Sequence, residues 1–417
     1  MKNLYTILLA SLCSFGAAAQ TSSTYQADLD GVYSTLKSTP SYKDQIKGDA
    51  KTRYEALYQN LRTQQPTTQL QEFYLLTRLV QTLRDNHLGF YEWGDTKLDH
   101  TKLSDSTYVS TYVNSDAFKN FPKSNVNVDS LEQALTGKPR NGVEGIYYLT
   151  NVLKAGVYRT SKPDSLVAVV LSSKQRIWQR GQLLAVFNEV SPNNFEGVCV
   201  EPSYKIFQYN HRIKFAANKL NLYYLWDKYP AEADHISIPA GTPKFQFKTI
   251  DEKTQYLRLG SFGTSNIDLA ETQRFYDSVK TLVNAGSSLI VDLRNNGGGG
   301  WKASKKYLDL AMKHSKKAQV YVLINHSTVS NAEQFTLKLK GQKNVTVLGT
   351  DTKGMLTYGS NYGKTATMPS GKYRLYLTDM RDDGNYLQYE DIGIKPDQYL
   401  NPDSDWIGQV QTVIKSK

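Results

Sequence analysis

The feature that most constrains the fold is a run of four glycines, Gly297 to Gly300, directly after an apolar segment. That segment, Leu289 to Leu293, is interrupted only by Asp292, a pattern typical of a parallel strand buried on both faces. Consecutive glycines permit a turn that no side chain obstructs, so backbone N–H groups can approach an anion closely. A phosphate or an oxyanion that develops during a reaction would suit such a turn.

The phosphate interpretation is the weaker one. The sequence around the glycines contains neither G-x-x-x-x-G-K-[ST] nor G-x-G-x-x-G with the flanks of a dinucleotide site. The glycines taken alone fit a purely structural turn equally well. A catalytic interpretation therefore needs a nucleophile that follows the turn.

Ser330 is the candidate nucleophile. A second apolar run, Val320 to Ile324, precedes it, and a helical pattern follows through Leu339. Ser330 should therefore lie at the first turn of a helix, where the helix N-terminus stabilises negative charge. A serine at this place is by default an N-cap, but the preceding glycine turn favours a catalytic role. The predicted oxyanion donors are the backbone N–H groups of Gly298 or Gly299 and of Asn331.

The spacing of apolar residues along the sequence, together with the pattern of the first residues, divides the chain into four parts. Apolar residues at helical spacing mark the N-terminal region, short β-type runs mark the middle, and strand and helix alternate from Gln255 onward. This alternation predicts an α/β core with a mostly parallel sheet. The predicted parts are a signal peptide over 1–19, a helical N-terminal domain over 20–135, a strand-rich portion over 136–250 and the core over 251–417.

The first residues have the order of a secretory signal peptide, with Lys2, an apolar run from Leu4 to Phe15 and small residues up to Ala19. We therefore expect export to the periplasm, the outer-membrane surface or the medium, without a transmembrane span. After cleavage Cys199 would be the only thiol, which excludes an intramolecular disulfide. The net charge of +11 is spread over scattered Lys and Arg residues, which favours a solvated basic face over nucleic-acid binding.

Several motifs occur in the order typical of the tail-specific, or carboxy-terminal processing, serine peptidase family, which includes the tricorn core proteases. They are Asp292 to Gly300, Ser330 to Glu333 and Gly393 to Asp397. The chain resembles this family from about Gln255 to Tyr399. The resemblance implies a crotonase/ClpP-like core and hydrolysis of peptides or unfolded proteins by a serine. We predict no metal and no cofactor, because the chain has no H-E-x-x-H pattern and no Cys/His cluster.

The family activates its serine in two ways. In the processing-protease branch a lysine does so, and alignment on Gly349, Thr352 and Gly354 puts Met355 at its place. A thioether cannot usefully accept a proton at neutral pH, so a Ser-Lys dyad at the usual position is excluded. Lys353 lies two residues earlier and is expected to point elsewhere.

The resemblance to the tricorn-like branch implies a histidine and a late glutamate instead. The histidine is His87, in Asp85-Asn86-His87, which follows the helical segment, and imidazole has a suitable ordinary pKa for a general base. The glutamate is Glu390, which would orient and polarise the catalytic network. We thus predict a network of Ser330, His87 and Glu390.

Several alternatives remain open at this point. His326 is closer to Ser330 in sequence, Asp391 and Asp397 compete with Glu390, and Glu333 is interpreted as a helix-start charge or a structural acceptor. The strand-rich portion shows no convincing PDZ module. In the alternative hypothesis, the protein is a catalytically inactive homologue whose function is to bind a hydrophobic ligand or to take part in cell-envelope interactions. The sequence does not give the oligomeric state.

Overall fold

The computed structural model describes residues 21–94, 98–222, 225–283 and 286–416. The predicted signal peptide over 1–19 lies outside these residues. The helices are α1 Thr21–Leu36, α2 Pro40–Gln45, α3 Asp49–Arg62, α4 Gln69–Val80, α5 Ser106–Asn114, α6 Asp116–Lys119, α7 Val128–Thr136, α8 Asn266–Val279, α9 Trp301–Ser315, α10 Asn331–Leu339 and α11 Trp406–Lys415. Short 3-10 helices span His100–Lys102 and Tyr386–Tyr389.

The strands belong to two sheets. They are β1 Gly89–Glu92, β2 Gly145–Leu149, β3 Leu153–Arg159, β4 Ser165–Ser173, β5 Leu183–Ser191, β6 Asn194–Glu201, β7 Ile206–Ala216, β8 Lys219–Asn221, β9 Leu225–Asp227, β10 Phe245–Asp251, β11 Thr254–Leu259, β12 Ser288–Asp292, β13 Val320–Ile324, β14 Val345–Gly349, β15 Thr365–Thr367, β16 Tyr373–Tyr376 and β17 Gln398–Tyr399.

The chain forms two compact units. Among the described residues, the first unit comprises the chain up to Ala231 together with Ser360–Met380, and the second comprises Glu232–Gly359 and the chain from Arg381 onward.

The first unit is built on an antiparallel sheet in the order β15-β16-β1-β7-β6-β5-β4-β3-β2-β9-β8. An additional pairing of β7 with β8 closes the strands from β2 to β9 into a ring. The apolar faces of α1, α3 and α4 share one hydrophobic core with these strands, for instance through Leu29, Leu76 and Phe90. Burying the helices' apolar stripes against the sheet stabilises both layers together.

The second unit is an α/β fold, as predicted for this part of the chain. Its sheet has the order β10-β11-β12-β13-β14-β17, in which β10 pairs antiparallel and the other pairings are parallel. Strand β13 is buried at every residue, because an unbroken apolar run loses the most contact with water when it is covered on both faces. Residues of α9 and α10, such as Tyr307 and Phe335, complete the core.

The two units differ from the predicted division of the chain at two points. The predicted helical and strand-rich parts share one core and form one unit. Residues Ser360–Met380, which fall in the predicted catalytic core, belong to the first unit because β16 pairs with β1, with Gly89 opposite Tyr376. Periodicity does not reveal such a pairing, since it joins strands almost three hundred residues apart. Within the described residues, none of the helices combines the length and apolar character needed to cross a bilayer.

Candidate active site

The glycine turn of the second unit is anchored by polar side chains at the end of the preceding strand and at the start of the turn itself. Asp292 at the end of β12 is fully buried and pairs with Arg294, whose Nη2 lies 2.7 Å from a carboxylate oxygen. The side chain of Asn296 spans the turn: its Nδ2 donates to the Leu259 carbonyl at 2.8 Å, and its Oδ1 accepts the N–H of Gly298 at 2.9 Å. These bonds fix the path of the turn before any ligand binds.

Gly298 lies directly against Ser330. It has φ of +88°, and a Cβ added to it would lie 2.7 Å from the Cβ of Ser330 and 3.0 Å from the backbone N of Asn331. Gly299 has φ of +134°, and its added Cβ would lie 1.7 Å from the Phe262 carbonyl oxygen. Both positions therefore require glycine, for steric and for conformational reasons. The structure thus brings together the glycine turn and the candidate nucleophile.

Ser330 occupies the sharp connection between β13 and α10, as the N-cap of α10. Its φ of +58° and ψ of −122° belong to a region that residues with a Cβ rarely adopt. Such backbone strain costs roughly 1–3 kcal/mol and is found mainly at functional sites. A strained serine between a strand and a helix is also the geometry that presents a nucleophilic hydroxyl in other serine hydrolases.

The three predicted oxyanion donors are not equivalent. The N–H of Gly298 is already bonded to Asn296, which differs from the predicted role of that group. Phe262 forms a β-bridge with the turn, in which its N–H donates to the Gly298 carbonyl and its carbonyl accepts the N–H of Gly300. The N–H of Gly299 therefore points away from Phe262. Asn331 is the first residue of α10, and its N–H is one of the helix-terminal donors that lack an acceptor within the helix. Gly299 and Asn331 are therefore the better candidates.

Glu333 is a structural hydrogen-bond acceptor, one of the two interpretations that the sequence offered, and the sequence did not indicate which groups it binds. Its side chain is fully buried. Its carboxylate accepts the N–H of Ser330 at 2.9 Å, the hydroxyl of Thr352 at 2.5 Å and the N–H groups of Gly354 and Met355 at 2.7 and 3.0 Å. Burial raises the pKa of Glu333, and these hydrogen bonds oppose that rise. Glu333 thus joins the backbone of the candidate nucleophile to a separate loop.

Glu390 holds the next part of the same loop. It is fully buried, and its Oε2 accepts the N–H groups of Leu356 and Thr357, both at 3.0 Å. We call Thr352–Thr357 the clamped loop, because Glu333 binds its first half and Glu390 its second half. The amide of Gln334 adds a bond to the Leu356 carbonyl at 2.8 Å. Glu390 is thus a buried anchor of the backbone, unlike a solvated loop carboxylate.

Met355 lies close to the backbone of Ser330. The same Glu333 oxygen accepts the N–H of both residues, so the two nitrogen atoms are within about 6 Å of each other. The neighbouring Lys353 is held through its backbone, whose N–H donates to the Thr328 carbonyl at 3.2 Å. The loop therefore brings the backbone of position 355 close to that of Ser330.

The candidate base, His87, belongs to the first unit, where it lies between α4 and β1. Asp85, two residues earlier, is fully buried; it accepts the Thr378 hydroxyl at 2.6 Å and also the backbone N–H groups of His87 and Leu88. This turn explains the Asp-x-His spacing, because the carboxylate fixes the backbone that carries the imidazole. Burial raises the pKa of Asp85 to about 6 and lowers the pKa of His87 to about 4. His87 is therefore neutral at pH 7, as a general base must be.

We expect Glu333→Gln to lower the rate of any reaction at Ser330 by about 100-fold or more and to destabilise the second unit by about 2–4 kcal/mol. The carboxamide can accept with only one of its two polar atoms, so its NH₂ group would face backbone donors in the buried site. Kinetics and urea denaturation measure the two effects. Glu271→Gln, at an exposed ion pair of the same unit, is the matched control, and equal behaviour of the two variants would contradict this role.

Comparisons with known proteins agree with the family suggested by the motifs. A strained serine against a glycine turn on an α/β sheet is the kind of site found in serine hydrolases. Residues 302–400 match the family described as Peptidase family S41, which confirms the predicted resemblance to a family of peptidases. The matched segment contains Ser330, Glu333, the clamped loop and Glu390.

The solved structures that the chain resembles are distant. Mature CPAF is 11% identical, with 95% of this chain and 97% of that chain covered and a TM-score of 0.43. The photosystem II D1 C-terminal processing protease is 14% identical, with coverage of 94% and 97% and a TM-score of 0.34. A lipoprotein from Streptococcus agalactiae is 19% identical, with coverage of 41% and 69% and a TM-score of 0.30. No curated protein sequence matches the chain.

Proposed function

We propose that this chain is a serine peptidase that cleaves peptides or unfolded proteins through an acyl-enzyme on Ser330. The observation that carries the proposal is the contact between a strained serine and an obligatory glycine: Ser330, with φ of +58°, lies against Gly298, where an added Cβ would come within 2.7 Å of the serine Cβ. A merely structural N-cap does not require a strained backbone beside an obligatory glycine. The match of residues 302–400 to a peptidase family supports the same conclusion.

The proposed reaction is acyl transfer in two steps. His87 accepts the hydroxyl proton while Ser330 Oγ attacks the peptide carbonyl carbon, and the backbone N–H groups of Gly299 and Asn331 bind the oxyanion. The proton then passes to the leaving amine as the C–N bond breaks. Water, deprotonated by the same histidine, attacks the ester carbonyl carbon, and the histidine returns the proton to Ser330 Oγ as the acid leaves.

The two buried glutamates have supporting roles in this mechanism. Glu390 is proposed to orient the catalytic network, and its bonds to Leu356 and Thr357 support an action through the clamped loop. Glu333 holds the N–H of Ser330 and thereby the unusual backbone conformation of the nucleophile. Neither role requires a carboxylate to transfer a proton.

The finer assignments rest on the sequence. We propose that the second unit is a crotonase/ClpP-like core, since its four parallel pairings carry the site at the ends of the strands. We also propose export of the protein to the periplasm, the outer-membrane surface or the medium, on the basis of the signal-peptide pattern in residues 1–19.

Labelling with a serine-directed phosphonate tests the proposal. We expect covalent modification of the folded protein, with the adduct on the peptide that contains Ser330 in a mass spectrum. Urea-unfolded protein is the control, because an unactivated serine hydroxyl does not react. An unlabelled folded protein that hydrolyses no member of a broad peptide library, and that carries a bound lipid, would support the inactive ligand-binding alternative instead.

The acid limb of the pH profile should report His87. Because the base must be neutral and burial lowers the pKa of His87 to about 4, kcat/KM should decrease only as the pH falls towards about 4. An ordinary histidine would give this limb near pH 6.5. Asp85, whose pKa is raised to about 6, is the other group that could cause a decrease in kcat/KM at acid pH. Asp85→Asn distinguishes the two groups, because it removes the decrease only if Asp85 causes it.

A further inference from the structure

The first unit contains a pocket that the proposed peptidase mechanism does not use. Its volume is about 430 Å³, which is within the range of small-molecule sites. All residues that line it belong to the first unit, among them Gln69, Glu92, Trp93, Tyr204 and Lys372. The pocket therefore needs an explanation of its own.

One wall of the pocket is an exposed tryptophan held in a fixed orientation. Trp93 is 47% exposed, although indole is among the side chains most stabilised by burial. The guanidinium carbon of Arg374 lies 3.3 Å from the centre of its ring, and the edge of Tyr91 contacts it with the ring centres 6.5 Å apart. These neighbours reduce the mobility of Trp93, so a ligand that stacks on it loses little additional side-chain entropy.

A second aromatic side chain is held in the same way. Tyr204 also lines the pocket, and His100 packs edge-on against it with ring centres 4.6 Å apart. The pocket thus combines two rigid aromatic surfaces with polar groups, which is the composition of sites for ligands that have both apolar and polar faces.

The polar groups are fixed as well. Glu92 is buried, its Oε2 accepts the N–H of Phe207 at 2.5 Å, and its Oε1 accepts the side-chain amide of Gln69. The carbonyl of Lys372 accepts the N–H of Trp93 at 2.6 Å, so the segment that bears the lysine is tied to the aromatic wall. The carboxylate, the carboxamide and the ammonium group can all bond hydroxyl groups.

The charges around the pocket favour an uncharged ligand. Three lining residues can carry a charge: Glu92, Lys205 and Lys372. The Lys205 ammonium group is already bonded to the Ile177 carbonyl at 3.0 Å and to Gln182 Oε1 at 2.9 Å, and the Lys372 ammonium group lies 3.9 Å from buried Glu72. An anion would meet the carboxylate of Glu92, whereas a cation would meet the ammonium group of Lys372. Neither sign of charge is therefore preferred.

We propose that this pocket binds a pyranose ring of an uncharged saccharide. A pyranose has a face of C–H groups that can stack on the indole of Trp93 and a rim of hydroxyl groups that can bond Glu92, Gln69 and Lys372. An uncharged peptide segment offers a planar amide and few hydroxyl groups, so it matches these side chains less well. The ligand class thus follows from the aromatic wall, the polar rim and the balanced charge.

Saturation-transfer NMR and calorimetry with cellohexaose, maltohexaose, chitohexaose and xylohexaose test the proposal on the full chain. We expect binding of at least one of these sugars, with saturation transferred to ring C–H protons. Trp93→Ala should weaken that binding by at least about tenfold, because the stacking surface is lost. Tyr362→Ala, which removes a 77% exposed aromatic residue of the same unit outside the pocket lining, should leave it unchanged.

A second variant guards against indirect effects of losing Trp93, which also contacts Arg374. Gln69→Ala removes one hydrogen-bonding amide and leaves the aromatic wall, and it should weaken binding several-fold, roughly by the value of a hydrogen bond. Equal affinity of the wild type and Trp93→Ala, binding of none of the four sugars, or preferential binding of tetralysine or tetraglutamate would each overturn the proposal. None of these results bears on phosphonate labelling of Ser330, so the two proposals stand or fall separately.

Discussion

Replacement of Ser330 by alanine is expected to lower kcat/KM for peptide hydrolysis by at least about 10⁴-fold and to abolish phosphonate labelling. The hydroxyl is the only proposed nucleophile, and without it no acyl-enzyme forms. The remaining activity should come only from substrate binding and the oxyanion donors. Peptide kinetics with an active-site titration of the wild type measure this change.

The structure allows a matched control for this variant. Ser327 lies three residues earlier on the same connection and bonds Asn325 through its backbone N–H, so Ser327→Ala removes a hydroxyl and keeps that bond. We expect this control to retain wild-type activity. Alanine at position 330 keeps the Cβ but loses the hydroxyl of the α10 N-cap, so we expect a stability loss of about 0.5–2 kcal/mol, too small to unfold the protein. Hydrolysis by Ser330→Ala at the wild-type rate would refute the assignment of the nucleophile.

The second large effect concerns the base. His87→Ala should reduce kcat/KM by about 10³-fold or more, because general-base catalysis of the serine attack is lost. Adding Met355→Lys to the His87→Ala variant should raise its kcat/KM at least about tenfold. The reason is the shared Glu333 oxygen, which holds the backbone N–H groups of Met355 and Ser330 and so places position 355 beside the nucleophile.

The pH dependence identifies the restored activity. Lysine accepts a proton only when neutral, and its ordinary pKa is about 10.4, so the restored activity should rise with pH above neutrality. Met355→Leu in the same His87→Ala background is the control, since leucine has a similar volume and no base. A double variant with lysine that is no more active than the one with leucine would show that position 355 cannot reach Ser330.

Much of the second unit could be predicted from the sequence, because its signals are local. The apolar runs of β12 and β13 are long and uninterrupted enough to require burial, and a serine before an amphipathic pattern predicts a helix start. The glycine turn, Ser330 and the segment from Gly393 to Asp397 follow one another in the chain, and this order suggested that they form one site. Each of these inferences uses residues that are close in sequence.

The remaining features depend on contacts between distant segments. The bond of the Gly298 N–H to Asn296 arises from the three-dimensional path of the turn, and nothing in a run of glycines indicates which N–H is already bonded. The burial of Glu333 and Glu390 arises because two segments converge on the clamped loop. The pairing of β1 with β16 likewise joins segments that no periodic pattern relates.

The clamped loop has a consequence for how this site can change during evolution. The N–H groups of its residues from Gly354 to Thr357 are bonded by Glu333 and Glu390, which belong to other segments. Every amino acid except proline offers such an N–H, so the path of the loop does not depend on the identity of the side chain at position 355. A lineage can therefore exchange a proton-accepting residue for an inert one at this position, or the reverse, by a single codon change that leaves the scaffold intact.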